Sequence, residues 1–234
     1  VASFTDLASR LENKGISWQI LAVPNRGAAV ARNIGLRAAH GDAVMFVDSD
    51  DVLAPVGLAE LACSLRKHPE VDYVHGKVVM SDEALSPIGA PPIGAPPAAE
   101  GWCDEEIAGY DWHTMGALYR RRCLDAAGPW DEELTGSQDW EFQARVKLRG
   151  GRGRFCNTLV GYWRQHGSQR VGARAFRADY LSSAIMACEK IRASAVMADR
   201  CSAKLDNKLA RRLILHALEW GAAGQRQAKS QVLD

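Results

Sequence analysis

A chain of 234 residues, 47% of them hydrophobic, is long enough for one large domain, or one domain with an appendage, around a two- or three-layer core. Its 29 Lys and Arg against 28 Asp and Glu leave a net charge of +1, which excludes bulk electrostatic attraction to a nucleic acid as the organising interaction. The apolar runs fall far short of a membrane span, and the six cysteines (63, 103, 123, 156, 188 and 201) show neither close pairing nor metal-type spacing. Reduced, mostly buried thiols and a cytoplasmic setting are therefore expected.

Phe4 to Asn13 predicts an amphipathic helix with Leu7 and Leu11 on one face, capped by Ser3 or Thr5 and ended at Lys14-Gly15. Trp18 to Val23 reads as a strand closed by Pro24-Asn25, and Asn25-Arg26-Gly27 turns into an alanine-rich helix from Ala28 to Ala39. Ala43 to Val47 is an unbroken apolar run, the pattern of a strand buried on both faces, and it leads straight into Asp48-Ser49-Asp50-Asp51. A helix opening at Pro55, with Leu58, Leu61 and Leu65, and a strand from Val71 to Met80 follow. This alternation predicts right-handed βαβ units. Pro87-Ile88-Gly89-Ala90-Pro91, repeated at once as Pro92 to Pro96, reads as a flexible surface loop, with a lid over the acidic turn as the bolder alternative. His113 to Tyr119 predicts a short strand interrupted by Gly116, and Arg120 to Ala127 a short helix. Ser137 is placed to cap a helix from Gln138 to Leu148, Phe155 to Trp163 is a last strand, and two helices fill 176–221 with a break near Asp199-Arg200.

Three carboxylates within four positions, just past a buried strand, stand where open α/β sheets bind ligands. They repel one another unless a cation sits among them, which points to a divalent metal with a polyanionic substrate behind it. An acidic helix start, with Asp51 as the cap, explains only one of the three. A calcium loop fails because Val52 and Leu53 stand where a ligand and the turn glycine belong. Two readings then stand: an aspartyl-nucleophile phosphohydrolase, whose Asp-x-Asp-x-Val run matches locally, and a metal bridging a nucleoside diphosphate. The glycine turn at Asn25-Arg26-Gly27 offers backbone N–H groups and a helix N-terminus to an anion, with Arg26 and Arg32 adding positive charge. Asp139 lies in the first turn of its helix beside Trp140. It is either an acid placed favourably on the helix dipole or a general base that Trp140 shields, with Glu141 as the alternative base. His166, at a strand end, is a candidate metal ligand, and His113 can line the same cleft.

Together these pieces resemble the family-2 inverting glycosyltransferases of the GT-A fold. The resemblance rests on Asn25-Arg26-Gly27 with Ala31-Arg32-Asn33, Gly41-Asp42 with Phe46 to Asp51, Gly128 to Glu132, Gln138 to Glu141 and Tyr162 to His166. It implies a mixed, mostly parallel sheet flanked by helices over 1–172 and a C-terminal helical extension over 173–234. It also implies a catalytic base at Asp139, donor contacts at Asn25, Arg32, Asp48, Gly116 and Trp140, and Mg²⁺ or Mn²⁺ held by Asp50 and His166. The implied partners are a nucleotide-sugar donor and a carbohydrate or other hydroxyl acceptor. The C-terminal helices offer a homodimer contact, and membrane association would be peripheral. The family carries an acidic residue where this chain has Gln138, and its first strand, helix and strand have no counterpart in Val1 to Ile16. The resemblance therefore predicts an N-terminally truncated domain with weakened or absent activity, so that a non-catalytic module is the other alternative.

Overall fold

The computed structural model describes residues 9–89, 91–94, 107–165 and 178–222, the last with side chains from 181 to 218. In chain order the elements are α1 (Ala28–Ala38), β1 (Ala43–Met45), β2 (Val52–Leu53), α2 (Gly57–Lys67), β3 (Tyr73–Ser81), a 3-10 turn (Thr114–Gly116), β4 (Ala117–Arg120), α3 (Arg121–Ala127), α4 (Gln138–Leu148), β5 (Gly153–Arg164), α5 (Ala178–Met197) and α6 (Ala203–Ala222). Residues 9–12, the described part of the first expected helix, are helical.

The expected mixed sheet flanked by helices is present, in the order β1-β4-β3-β5-β2. Its pairing balance differs from the mostly parallel one expected: β3 and β5 are parallel, whereas β1–β4, β3–β4 and β2–β5 are antiparallel. One insertion accounts for two of the three antiparallel pairs. The βαβ pattern runs β1 and β3 in the same direction, but β4 lies between them and antiparallel to both, so they never pair.

Successive side chains of a strand face opposite sides of a sheet, and here the two sides have separate cores. Tyr73 and Tyr119 join Phe46, Trp112, Trp130 and Phe142 beneath α1, α3 and α4. Val74, Val78 and Leu118 join Leu61 and Leu65 of α2. A third cluster packs Trp140, Ala144 and Leu148 of α4 onto α5 and α6 through Ile191, Leu205 and Leu209.

Two sequence expectations need correction. Residues 16–26 form no strand, and Ile16, Ile20, Leu21 and Val23 are exposed. Apolar content makes a strand only where a ladder partner stands alongside, and none of the described strands pairs with this segment. The described part of the Pro-Ile-Gly-Ala-Pro tandem is likewise not a free loop. It attaches to β3 through Val78 N–H to the Ile93 carbonyl (2.8 Å), the return bond from Ile93 N–H to the Val78 carbonyl (2.9 Å), and Ile88 N–H to the Met80 carbonyl (2.9 Å). Proline tolerates such edge positions because its missing donor is not needed there.

Candidate active site

The site starts at the turn into α1. Asn25 Oδ1 accepts from the Gly27 N–H (3.2 Å), and Gly27 adopts φ 98, a backbone region that glycine enters without a Cβ clash. Neighbouring residues of the helix that follows reach different targets. Arg32 Nη2 donates to both carboxylate oxygens of Asp48 (2.7 and 3.1 Å), and its guanidinium lies 4.6 Å over the Trp130 ring. Buried Asn33 donates to the Trp130 carbonyl (2.9 Å) and to Glu132 (2.9 Å), and accepts from the Trp130 N–H (2.8 Å). The helix, the acidic turn and the Gly128–Glu132 turn, far apart in sequence, are thereby joined.

The acidic turn closes on itself through Asp51 N–H to the Asp48 carbonyl (3.2 Å). Arg164, the last residue of β5, crosses it: Arg164 Nε donates to the Asp50 carbonyl (2.6 Å), and its backbone N–H donates to Asp51 Oδ1 (3.1 Å). Asp51 therefore ties β5 to the turn. It does not cap α2, whose N-terminal flanking residue is Val56.

Asp139, half-buried at the start of α4, accepts on Oδ1 from the Trp140 N–H (2.9 Å). The Tyr110 hydroxyl hydrogen-bonds to the same carboxylate; burial, and then the charge of Asp139, hold that phenol's pKa well above its ordinary value. Glu141 is committed elsewhere, buried and bound through both oxygens by Arg145 (2.7 and 2.8 Å). Of the two candidate bases, Asp139 alone is thus not neutralised by its own arginine. The cap expected of Ser137 is not made. The residue sits at φ 57 with no side-chain capping bond, and its carbonyl starts the helix ladder by accepting from Glu141 N–H (3.1 Å).

His113 links the two groups. Its buried ring lies tilted against Trp163, with centroids 5.3 Å apart, and Nδ1 accepts from the Met115 N–H (3.4 Å), which leaves the proton of the neutral ring on Nε2. Burial lowers its pKa most; Asp139 and Asp48 raise it, Arg32 lowers it and Asp50 raises it. The charges of the acidic turn, of Arg32 and of Asp139 thus all act on one imidazole.

A constellation of this kind, on this sheet, can be compared with known proteins. The model of Glycosyl transferase family 2 matches residues 3–125. The chain belongs to that family. It is 27% identical over 123 residues to YwdF, an uncharacterized glycosyltransferase of Bacillus subtilis (strain 168), across 52% of this chain and 45% of that protein. It is also similar to a Haemophilus influenzae glycosyltransferase, 29% identical over 69 residues, or 29% of this chain and 24% of the relative. The chain thus spans less than half of either relative. Among solved structures, Staphylococcus aureus TarS 1–349 in complex with UDP-GlcNAc superposes with a TM-score of 0.68 at 19% identity, over 97% of this chain and 65% of TarS. The GT-A-like fold is shared.

For this family-2 chain, the remaining expected residues have the following surroundings. Trp140 is 1% exposed and its Nε1 donates to the Ala108 carbonyl (2.9 Å). Its ring therefore has a packing role and no free face for a substrate, a correction to the donor contact expected of it. Gly116 is buried, and a Cβ there would lie 3.2 Å from Val78 Cγ2 and 3.4 Å from the Gly76 carbonyl; close approach to β3 is what requires a glycine. His166 lies outside the described residues. Among the described residues no three His, Cys, Asp or Glu side chains form a metal-holding group. A cation on a diphosphate needs few protein ligands, because phosphate oxygens and water complete its shell. The hard carboxylate of Asp50 fits that role. No described helix is long and apolar enough to cross a membrane.

Tyr110 and the crossing made by Arg164 escaped the sequence reading. Arg164 stood inside the Tyr162–His166 motif, but its partners, the Asp50 carbonyl and the Asp51 carboxylate, belong to a turn over a hundred positions away. The only trace of Tyr110 was an aromatic run, Tyr110-Asp111-Trp112-His113, which by itself reads as core.

Proposed function

We propose that this chain carries the transfer centre of a glycosyltransferase that moves a sugar from a nucleotide-diphosphate donor to a hydroxyl acceptor, inverting the anomeric carbon. The observation that carries the reading is that the charges of Asp139, Asp48, Asp50 and Arg32 all act on the buried His113, while Arg32 also binds the Asp48 carboxylate. A single displacement needs one base and one means of stabilising the departing diphosphate, and no second carboxylate nucleophile. Asp139 takes the acceptor's hydroxyl proton while the acceptor oxygen bonds to the anomeric carbon. The bond from that carbon to the diphosphate oxygen breaks, and the electron pair leaves with the nucleotide.

On the donor side, Asp48 receives the ribose, its carboxylate held by Arg32. The buried Nε and Nη1 of Arg32 have no partner among the described residues, so this guanidinium has spare positive field to offer a phosphate. Asn25 stands toward the nucleotide and Gly116 toward the sugar pocket. Asp50, with His166, would hold Mg²⁺ or Mn²⁺, which neutralises charge on the diphosphate when bound. The described cysteines are free thiols, which supports a cytoplasmic setting.

The test is a thermal-shift panel of nucleotide sugars, beginning with UDP-GlcNAc, with and without Mn²⁺. A donor that binds the native state raises Tm, and the rise should depend on Mn²⁺ and vanish in Asp50→Ala. Absence of any shift across the panel, or full turnover in Asp139→Asn, overturns the reading.

A further inference from the structure

The two C-terminal helices lie outside every motif of the site, yet they grip the segment that carries Asp139. Ser183 of α5 is 4% exposed. Its Oγ accepts from the Gly136 N–H (3.0 Å) and donates to the Gly136 carbonyl (2.6 Å), so one hydroxyl satisfies both backbone polar groups of a buried residue three positions ahead of Asp139. A second contact comes from α6. The Arg212 guanidinium lies 4.8 Å over the Trp140 ring and 5.9 Å from the Tyr110 ring centre, and Tyr110 is the residue whose hydroxyl reaches Asp139. A third comes from Lys190 of α5, which binds Asp131 (2.5 Å) and Glu133 (2.6 Å), flanking the turn that Asn33 clamps from the other side.

We infer that Ser183 and Arg212 are positioning residues for the Asp139 carboxylate: Ser183 fixes the peptide at Gly136, and Arg212 covers the Tyr110–Trp140 pair that contacts Asp139. The inference rests on the proposed role of Asp139 and extends it to residues some forty to seventy positions further along the chain.

Local geometry makes such a brace necessary. Ser137, between Gly136 and the helix, is held at φ 57, a region that costs a residue with a Cβ free energy and persists only where the surroundings enforce it. The Ser137 side chain makes no capping bond, so the first turn of α4 lacks the usual local lock. Ser183 supplies a lock from outside. Without it, a buried N–H and C=O are left unpaired, and the turn is free to relax away from φ 57 and to carry Asp139 with it. Arg212 acts on the other flank: its charge over two aromatic faces holds Trp140, the residue after the base, and Tyr110, its hydrogen-bond partner, in one orientation. A displacement of about 1 Å in a catalytic group can cost roughly a hundredfold in rate, so bracing of this kind bears on turnover as well as on folding.

The experiment uses the full chain and four variants: Ser183→Ala, Ser183→Thr, Arg212→Met and Arg192→Ala. Threonine keeps the hydroxyl, and methionine keeps an unbranched apolar stem at 212 without the guanidinium. Arg192→Ala breaks the exposed Arg192–Asp206 pair between α5 and α6, away from the Asp139 turn in sequence. The first readout is hydrogen exchange of the 134–142 backbone, which needs no activity. Exchange there should quicken by roughly tenfold or more in Ser183→Ala and Arg212→Met, with α1 and β3 unchanged, and stay near the parent rate in Ser183→Thr and Arg192→Ala. The second readout is UDP release from UDP-GlcNAc, where kcat should fall by about tenfold or more with donor KM within about twofold.

Unchanged exchange at 134–142 in both Ser183→Ala and Arg212→Met overturns the inference. So does a rise that Arg192→Ala reproduces, which would mean general loosening of the helices. If Asp139→Asn keeps full turnover, the base reading fails whatever the exchange shows. If Asp139→Asn is dead while the 183 and 212 variants behave as the parent, only the present inference fails.

Discussion

The two halves of the site are built differently. The half proposed for the donor, from Asp48 to Asp51, is exposed or half-buried and is held by charge: Arg32 on the Asp48 carboxylate and Arg164 across the Asp50–Asp51 peptide. The half proposed for the base, around Asp139, is held by packing. Trp140 is buried in a cluster shared with α5 and α6, Ser183 binds both polar groups of Gly136, and Glu141 is neutralised within its own helix. A half that must admit a charged, hydrated ligand gains from contacts that the ligand can exchange. A half that must keep one oxygen in place gains from burial, which water does not compete with. Ion pairs near water are weak and screened, while buried aromatic area is worth several kcal/mol per residue.

Four measurements break or sharpen that contrast. The largest effect is expected from Asp139→Asn: turnover down by about 10²–10⁴-fold, with the donor-induced rise in Tm retained, measured as UDP release beside thermal shift. Next, Trp140→Ala should cost about 3–5 kcal/mol in urea unfolding, because the ring is buried and its Nε1–H is spent on Ala108. A small loss would mean that the base half is not held by packing.

The third concerns His75 of β3, buried beside Trp112 and Phe155. Burial, and then Lys147, lower its pKa from an ordinary 6.5 to about 4. The neutral ring is the folded form, so the unfolded chain binds the extra proton between those two values. Stability is full above pH 6.5 and falls as the pH drops toward 4, by about 3 kcal/mol from this group. Urea unfolding at pH 7 and pH 4.5 should show the slope, and His75→Phe, which keeps the stacking with Trp112 and Phe155, should flatten it.

The smallest effect is expected from Arg32→Met, about 1 kcal/mol of stability, because Asp48 is 40% exposed and water takes over part of the lost pairing. Its cost should shrink further at high salt, whereas that of Trp140→Ala should not. Equal salt dependence would erase the contrast.

Much of this site was legible in the sequence. The apolar run before Asp48 marked a strand and its exit toward solvent, but not a strand covered on both faces: β1 lies at the edge of the described sheet, only Val44 and Phe46 of the run are buried, and Val47 is 44% exposed. Arg32, Asn33, Trp130 and Asp139 stood in motifs whose order could be read without coordinates. That Trp18–Val23 forms no strand was not legible, because apolar composition is local and a ladder partner is not. Ser137 was misread for a similar reason: a serine before a helix usually caps it, and here the fold enforces a left-handed φ.

The sequence by itself determined the alternating α/β pattern, the acidic turn at the end of β1 and the position of Asp139 in the first turn of α4, because each follows from hydrophobic periodicity and helix-end chemistry within about a dozen residues. Tertiary structure alone decided that β4 separates β1 from β3, that Glu141 is spent on Arg145 while Asp139 is not, and that Tyr110, Ser183 and Arg212 meet the segment around Asp139. Those are contacts between distant segments, set by how three cores pack against one another, and no local pattern encodes them.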